Sequence, residues 1–165
     1  MLTTTTHQPA DALIEALHKE HVAYELFPHR HTETALDEAS VLHVDPHEVV
    51  KTLILTTPFG YVRAVLCAVD RLDLAKARAA LETPDVELAR EFELVGAYPE
   101  FELGAVPPVG GAHDRVLIDP KVFENAFILL DAGTHGESIR LRPGDLLSLA
   151  YAEVVSLAQE PKEDR

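Results

Sequence analysis

The stretch Val49-Val50-Lys51-Thr52-Leu53-Ile54-Leu55-Thr56-Thr57-Pro58-Phe59-Gly60-Tyr61-Val62-Arg63-Ala64-Val65-Leu66-Cys67-Ala68-Val69 decides the fold class. Two runs rich in β-branched and aliphatic residues flank a Pro-Phe-Gly turn, which predicts a hairpin of strands 50–57 and 61–69. Both runs are too apolar for a surface ribbon, so the hairpin must sit inside a sheet that is covered by other elements. With a period of two, Lys51, Leu53 and Leu55 share one face. A lysine turned toward apolar neighbours is costly unless it is paired or used. It can equally snorkel to water from the strand start. An ammonium held here can bind a phosphate, a carboxylate or a developing oxyanion.

Helices surround this hairpin. Leu13, Ile14 and Leu17 predict a helix over 10–21, and Val22, Tyr24 and Leu26 predict a strand over 22–28. Thr32 is placed to cap a helix over 33–42, and Asp45-Pro46-His47-Glu48 starts a short one. Asp73 opens a helix that ends near Leu81, and a further short helix is expected over 85–91. Strands are expected at 114–119, 126–131, 137–141 and 151–157, with a helical turn after Pro143-Gly144-Asp145. Tight turns between some strands favour an α+β arrangement, a mixed sheet packed by helices, over a doubly wound parallel sheet.

The chain has 165 residues, 47% of them apolar, which suits one domain over 1–165 with frayed ends at about 1–8 and 159–165. Asp plus Glu outnumber Lys plus Arg by 28 to 14, for a net charge of −14. That balance argues against gripping bulk nucleic acid or an anionic membrane. One cysteine, Cys67, excludes an internal disulfide framework and a Cys-rich zinc site. No apolar run reaches the ~18 residues of a bilayer span, and Met1 to His7 lacks the character of a signal peptide. A cytoplasmic location is expected.

Three segments are candidates for chemistry. Beside Lys51 stands the loop Gly104-Ala105-Val106-Pro107-Pro108-Val109-Gly110-Gly111, where prolines fix the path and glycines permit close ligand approach. An ordinary crossover loop has the same composition. Asp131-Ala132-Gly133-Thr134-His135-Gly136 can present backbone amides to a substrate, or can be a plain hairpin turn. His135 is a candidate acid or base near neutral pH. His29 and His31, two apart, can project together, and His43 and His47 stand four apart, but neither pair carries a familiar metal-ligand motif. Surface histidines are the simpler reading, and no metal or cofactor is expected. Ser40, Ser138, Ser148 and Ser156 lack a nucleophile elbow or triad context, and Cys67 lies in an apolar strand as a core residue does.

The order of these segments resembles a known family. Thr32-Glu33, Glu38-Ala39 and Val49-Val50-Lys51-Thr52-Leu53, then Gly96-Ala97-Tyr98 and the glycine-proline loop, then Val116-Leu117-Ile118-Asp119, Asp131-Ala132-Gly133, Ile139-Arg140-Leu141 and Asp145-Leu146-Leu147, are similar to the YbaK/prolyl-tRNA-synthetase-associated editing domains. The likeness runs from about Asp11 to Ser156. It implies a mixed, barrel-like sheet wrapped by helices. It implies a free-standing, trans-acting deacylase that hydrolyses the ester of mischarged tRNA, with the aminoacyl-tRNA 3′ end as substrate and prolyl-tRNA synthetase as an associated protein.

The family's essential lysine falls on Lys51, and Gly133 falls where a backbone amide can stabilise an oxyanion. Thr52, Gly104, Val106, Pro108, Asp131, Ala132 and His135 fall around the amino-acid pocket. Ile54, Leu55 and Val109 are further wall candidates. Thr52 resembles the Cys-tRNA-Pro branch, since the Ala-tRNA-Pro branch usually has Asn there. Asp131 departs from the Ser or Asn of many members and adds a negative charge. With no protein nucleophile in view, hydrolysis without an acyl-enzyme is expected. A non-catalytic member that binds a small ligand or a synthetase is the alternative. Arg30, Lys51, Arg63, Arg115, Arg140 and Arg142 are candidates for a local basic rim.

Overall fold

The structure is a computed structural model that describes residues 8–161. The termini expected to fray fall mostly outside that range. The hairpin forms as expected: β2 (Val50–Thr57) pairs antiparallel with β3 (Gly60–Cys67), from Val50 opposite Cys67 to Thr57 opposite Gly60. It is the centre of a five-stranded sheet. On one side β4 (Glu87–Leu88) adds to β2; on the other β5 (Arg115–Ile118) and then β8 (Glu153–Val154) add in parallel. A second, three-stranded antiparallel sheet has the order β1 (Glu25–Pro28), β7 (Glu137–Leu141), β6 (Ile128–Asp131). The sheets are open rather than barrel-closed. A parallel bridge, Val49 to Leu129, joins them.

Helices cover both faces. α1 (Asp11–Lys19) and α5 (Pro143–Leu149) bury Leu13, Leu17, Leu146 and Leu149 against Val50, Val65, Ile118, Ile128, Leu130 and Ile139. On the opposite face α3 (Leu74–Leu81) packs on Leu53, Leu55 and Ala64, and α2 (Ala35–Leu42) packs on Val49, Ala68 and Leu129. α4 (Glu91–Ala97) leads into the 98–114 loop, whose Tyr98, Phe101 and Val106 cover Ile54. Asp73 caps α3 through the Ala75 amide, and Asp45 caps a 3₁₀ turn at Pro46–Glu48, both as the sequence indicates.

Four expectations are corrected. The strand expected over 22–28 shrinks to Glu25–Pro28, and its inward phase changes: Val22 and Tyr24 pack near α1, but Phe27 rather than Leu26 faces inward, under α2. Thr34, not Thr32, caps α2, because Thr32 is buried with its hydroxyl on the His135 carbonyl. The helix expected over 85–91 is a short edge strand at Glu87–Leu88, since Leu55 and Thr56 offer it a free edge to pair with. The last strand is limited to Glu153–Val154, because the Leu157 and Ala158 amides leave the sheet to donate to Asp119.

Arg63 lies on β3 with a fully buried side chain, so it does not belong to a basic rim. Its Nε meets Asp114 at 2.9 Å. Its Nη1 donates to the Pro107 carbonyl at 2.8 Å, and its Nη2 to the Gly110 and Ala112 carbonyls at 2.6 and 3.3 Å. Tyr98 stacks beneath the guanidinium at 4.9 Å and donates its hydroxyl to Asp114. Burial and the Asp114 carboxylate push the Tyr98 phenol well above its usual range. Arg63→Ala strips the donors from four buried or half-buried acceptors. We expect a loss of about 3–5 kcal/mol in urea denaturation, with an unchanged m-value if the denatured state is unaffected.

Candidate active site

The site grows from the seam between the two sheets. Val49 and Leu129 are bridged, and both face α2. Lys51 and Asp131 each stand two residues further along, so the pleat turns them to that same face. No strand pairing joins β2 to β6 beyond the bridge among the described residues. Lys51 stands on the β2 lip of this seam and Asp131 on the β6 lip; the same pleat turns Thr52 and the fully buried Ala132 to the opposite face, Ala132 into the core against α1.

Lys51 is half-buried, and its Nζ donates to the Ala68 carbonyl at 3.4 Å and to the Asp70 carbonyl. Burial holds its pKa below the usual lysine range, partly offset by Asp70. It makes no ion pair with Asp131, which is influenced instead by Glu38.

Gly133 closes the β6–β7 turn in a left-handed conformation (φ +91°), where an added Cβ would lie 2.5 Å from the Pro9 carbonyl oxygen and 2.6 Å from Phe101. Only glycine fits there. Its carbonyl accepts from the Glu102 amide at 2.8 Å, which ties the turn to the glycine-proline loop. A second tie is His135. Its backbone amide donates to Glu102 at 2.9 Å, and its Nε2 donates to the Leu103 carbonyl at 2.6 Å. That bond fixes the Nε2–H tautomer when the ring is neutral. A Cβ on Gly104 would sit 3.4 Å from the same ring. Gly104, Gly133 and His135 are thus brought together.

The remaining site residues spread outward. Val106 packs with Ile54, and Thr52 lies on β2 opposite Val65. Pro108 faces elsewhere, lining a hollow of about 560 Å³ with Ala16, Val116, Leu149 and Tyr151. Another hollow, about 400 Å³ around Thr57, Tyr61 and His113, lies at the hairpin tip, the opposite end of β2 from Lys51.

His29 and His31 do not project together. His29 turns to Ser138 at 2.8 Å, while His31 meets Glu33 at 2.6 Å and stacks near His135. No three His, Cys, Asp or Glu side chains among the described residues form a metal-binding group. Burial raises the Cys67 thiol to about 11, so its thiolate is scarce at neutral pH. Of the basic-rim candidates, Arg30 and Arg115 are exposed and Arg140 is half-buried; they pair with Asp37, Glu153 and Glu25. Arg140 and Arg142 both reach the Phe127 ring, at 4.2 and 5.8 Å.

One group was missed from sequence. Glu38 on α2 is 1% exposed and hydrogen-bonded to Ser138, with Asp131 beside it. The signal is visible in hindsight: Ala35, Glu38, Ala39 and Leu42 share one helical face, so a carboxyl stands in the apolar stripe. Burial, and then the neighbouring Asp131, push Glu38 up to about 8; burial pushes Asp131 up to about 7. Both carboxyls therefore keep protons in the folded state that the unfolded chain releases near pH ~4. Stability contributed by proton binding is present at low pH and is lost as pH rises from ~4 through 7 to 8. We expect the wild-type melting temperature to fall between pH 5 and pH 8.5, and Glu38→Gln to flatten that fall, as read by circular dichroism.

Comparison with known proteins places these features in a family. Residues 29–149 match the family described as the aminoacyl-tRNA editing domain. A crystal structure described as a candidate trans-editing enzyme for prolyl-tRNA synthetase is 25% identical, with a TM-score of 0.82 over 94% of this chain and 100% of its own. A hypothetical protein aligns at 0.83 with 23% identity, over 90% of this chain and 100% of its own. A scaffold used for computational grafting of epitope backbones aligns at 0.80 with 24% identity, over 93% of this chain and 98% of its own. No curated protein matches. The matched span contains Lys51, the glycine-proline loop and the Asp131–Gly136 turn, and the chain belongs to the aminoacyl-tRNA editing domain family.

Proposed function

We propose that this protein is a free-standing deacylase that hydrolyses the ester between a wrong amino acid and the 3′ end of a tRNA. The observation that carries this reading is the match to the editing-domain family, supported by Lys51 and Asp131 standing on one face to either side of the Val49–Leu129 bridge. Lys51 holds the terminal adenosine or the ester carbonyl. Its flexible stem lets the ammonium exchange a backbone carbonyl for a substrate oxygen. The Gly133 amide stabilises the oxyanion that forms when water attacks the ester carbon. The C–O bond to the ribose then breaks, and the amino acid and the tRNA 3′ hydroxyl leave. No acyl-enzyme is required.

Gly104, Val106, Ala132 and His135 bound the amino-acid pocket, Thr52 lies at its floor and Pro108 shapes the loop behind it. A pocket of this kind works by size, because one methylene distinguishes substrates by only ~1–3 kcal/mol. The substrate is tRNA-Pro carrying Cys or another small amino acid, in the cytoplasm, delivered by prolyl-tRNA synthetase or by diffusion. The support for this assignment is Thr52 after the lysine and the trans-editing description of the related crystal structure.

Lys51→Ala is expected to lower deacylation at least 100-fold while the melting temperature stays near wild type. Turnover by a folded Lys51→Ala protein at the wild-type rate sinks the proposal. The panel to use is Cys-, Ala-, Ser- and Thr-tRNA, with and without prolyl-tRNA synthetase. The net charge of −14 adds a second expectation. Contact limited to the single-stranded 3′ end involves few phosphates, so tRNA binding should be weak, with a log–log salt slope no steeper than about −2. A steep slope with tight binding to whole tRNA contradicts it.

A further inference from the structure

Four side chains from four segments meet beneath α2. Ser138 on β7 is completely buried and lies between Glu38 and His29; it bonds Glu38 on one side and His29 Nε2 at 2.8 Å on the other. His29 Nδ1 lies 2.6 Å from the Arg30 carbonyl. Asp131 on β6 stands directly opposite Ser138 across the β6–β7 pair, which sets its carboxyl beside Glu38. Yet the buried Glu38 Oε2 has no donor facing it. Two carboxylate oxygens bond only through a proton.

Counting protons constrains this chain tightly. A carbonyl accepts only, so His29 must donate from Nδ1. Its Nε2 is then an acceptor in the neutral ring and a donor only in the imidazolium. Three links remain: Asp131 to Glu38, Glu38 to Ser138, and Ser138 to His29. The serine hydroxyl supplies one hydrogen, so two further protons must reside on Asp131, Glu38 or His29. With all links made, the chain is electrically neutral whichever sites hold them. Shifting one proton from Glu38 to His29 reverses the Ser138 hydroxyl and costs no net charge. An isolated structural ion pair has no such freedom.

We propose that Asp131, Glu38, Ser138 and His29 form a proton relay that serves as general base and general acid in the ester hydrolysis, with Asp131 facing the substrate. The inference rests on the deacylase reading above. Asp131 stands at the seam on the face shared with Lys51; His29, at the other end, is partly exposed. As water attacks the ester carbon, Asp131 takes one of its protons. When the tetrahedral intermediate collapses, the C–O bond to the ribose breaks and the 3′ oxygen takes a proton back from Asp131. Water has then been added across the ester, and the relay returns to its starting count. Glu38, Ser138 and His29 are positioning residues: they set the proton affinity of Asp131 and exchange its proton with solvent.

The charged groups around the relay are few. Arg30 pairs with Asp37 at its edge and His31 with Glu33, Glu102 accepts from the His135 backbone amide, and Lys51 stands on the opposite lip. Glu137 and Arg140 flank Ser138 on β7, and Arg140 pairs with Glu25.

The test is the pH dependence of kcat and KM for deacylation between pH 5.5 and 9, on the four-substrate panel. Glu38→Gln keeps a hydrogen bond to Asp131 but cannot pass a proton. His29→Gln does the same at the partly exposed end, where it perturbs packing least. Each is expected to lower kcat by about 10²-fold, to leave KM within twofold, and to remove or displace the limb of the wild-type profile. If Glu38→Gln does not fold, His29→Gln carries the test. An active wild type whose folded variants match it in rate and profile overturns the relay and leaves the deacylase reading standing. A wild type inactive on every substrate overturns that reading, and the relay with it.

Discussion

The buried guanidinium of Arg63 is the constraint on which the loop side of the molecule depends. A loop as long as residues 98–114 has many polar backbone groups and little secondary structure to satisfy them. Arg63 supplies donors to three of its carbonyls and a countercharge to Asp114. A planar fork of five donors suits that task, and a lysine does not. Because Arg63 stands on the central hairpin, the loop path is referred directly to the middle of the five-stranded sheet. Tyr98 and Phe101 then cover Ile54, and Phe101 abuts Gly133. One cation thus links the position of β3, through the loop, to the β6–β7 turn.

The other lip is held by a different principle. Lys51 is kept by backbone carbonyls just beyond β3, in a half-buried place that lowers its proton affinity. The two lips share no side-chain ion pair. Their separation is set by the sheets, through the Val49–Leu129 bridge and the α2 packing above it. Backbone geometry rather than a side-chain contact therefore sets their spacing.

What the sequence revealed divides along the line between local and distant causes. The hairpin, the Asp73 and Asp45 caps and the β6–β7 turn are encoded within a few residues, and they form where expected. The edge strand at Glu87–Leu88 exists only because β2 offers a partner thirty residues earlier in the chain. Thr32 looks like a cap in isolation, yet a carbonyl from residue 135 claims it. The candidate site follows the same rule. Lys51 and the glycine-rich segments stood out by composition. Glu38 and Arg63 were just as anomalous in their apolar stripes, but the partners that give them meaning lie far along the chain.

That distance has a consequence for biosynthesis. β1 pairs with β7 in a register that sets Glu25 against Arg140. Ser138, the middle of the Glu38–His29 chain, is about a hundred residues downstream of both. The central hairpin can form as soon as it leaves the ribosome, whereas the three-stranded sheet must wait until β7 emerges. The edge of β1 stays unpaired throughout that interval. The hydrogen-bonded chain under α2 is therefore completed late in synthesis, and a chain cut short before residue 138 has Lys51, Asp131 and Gly133 but not the serine that joins Glu38 to His29.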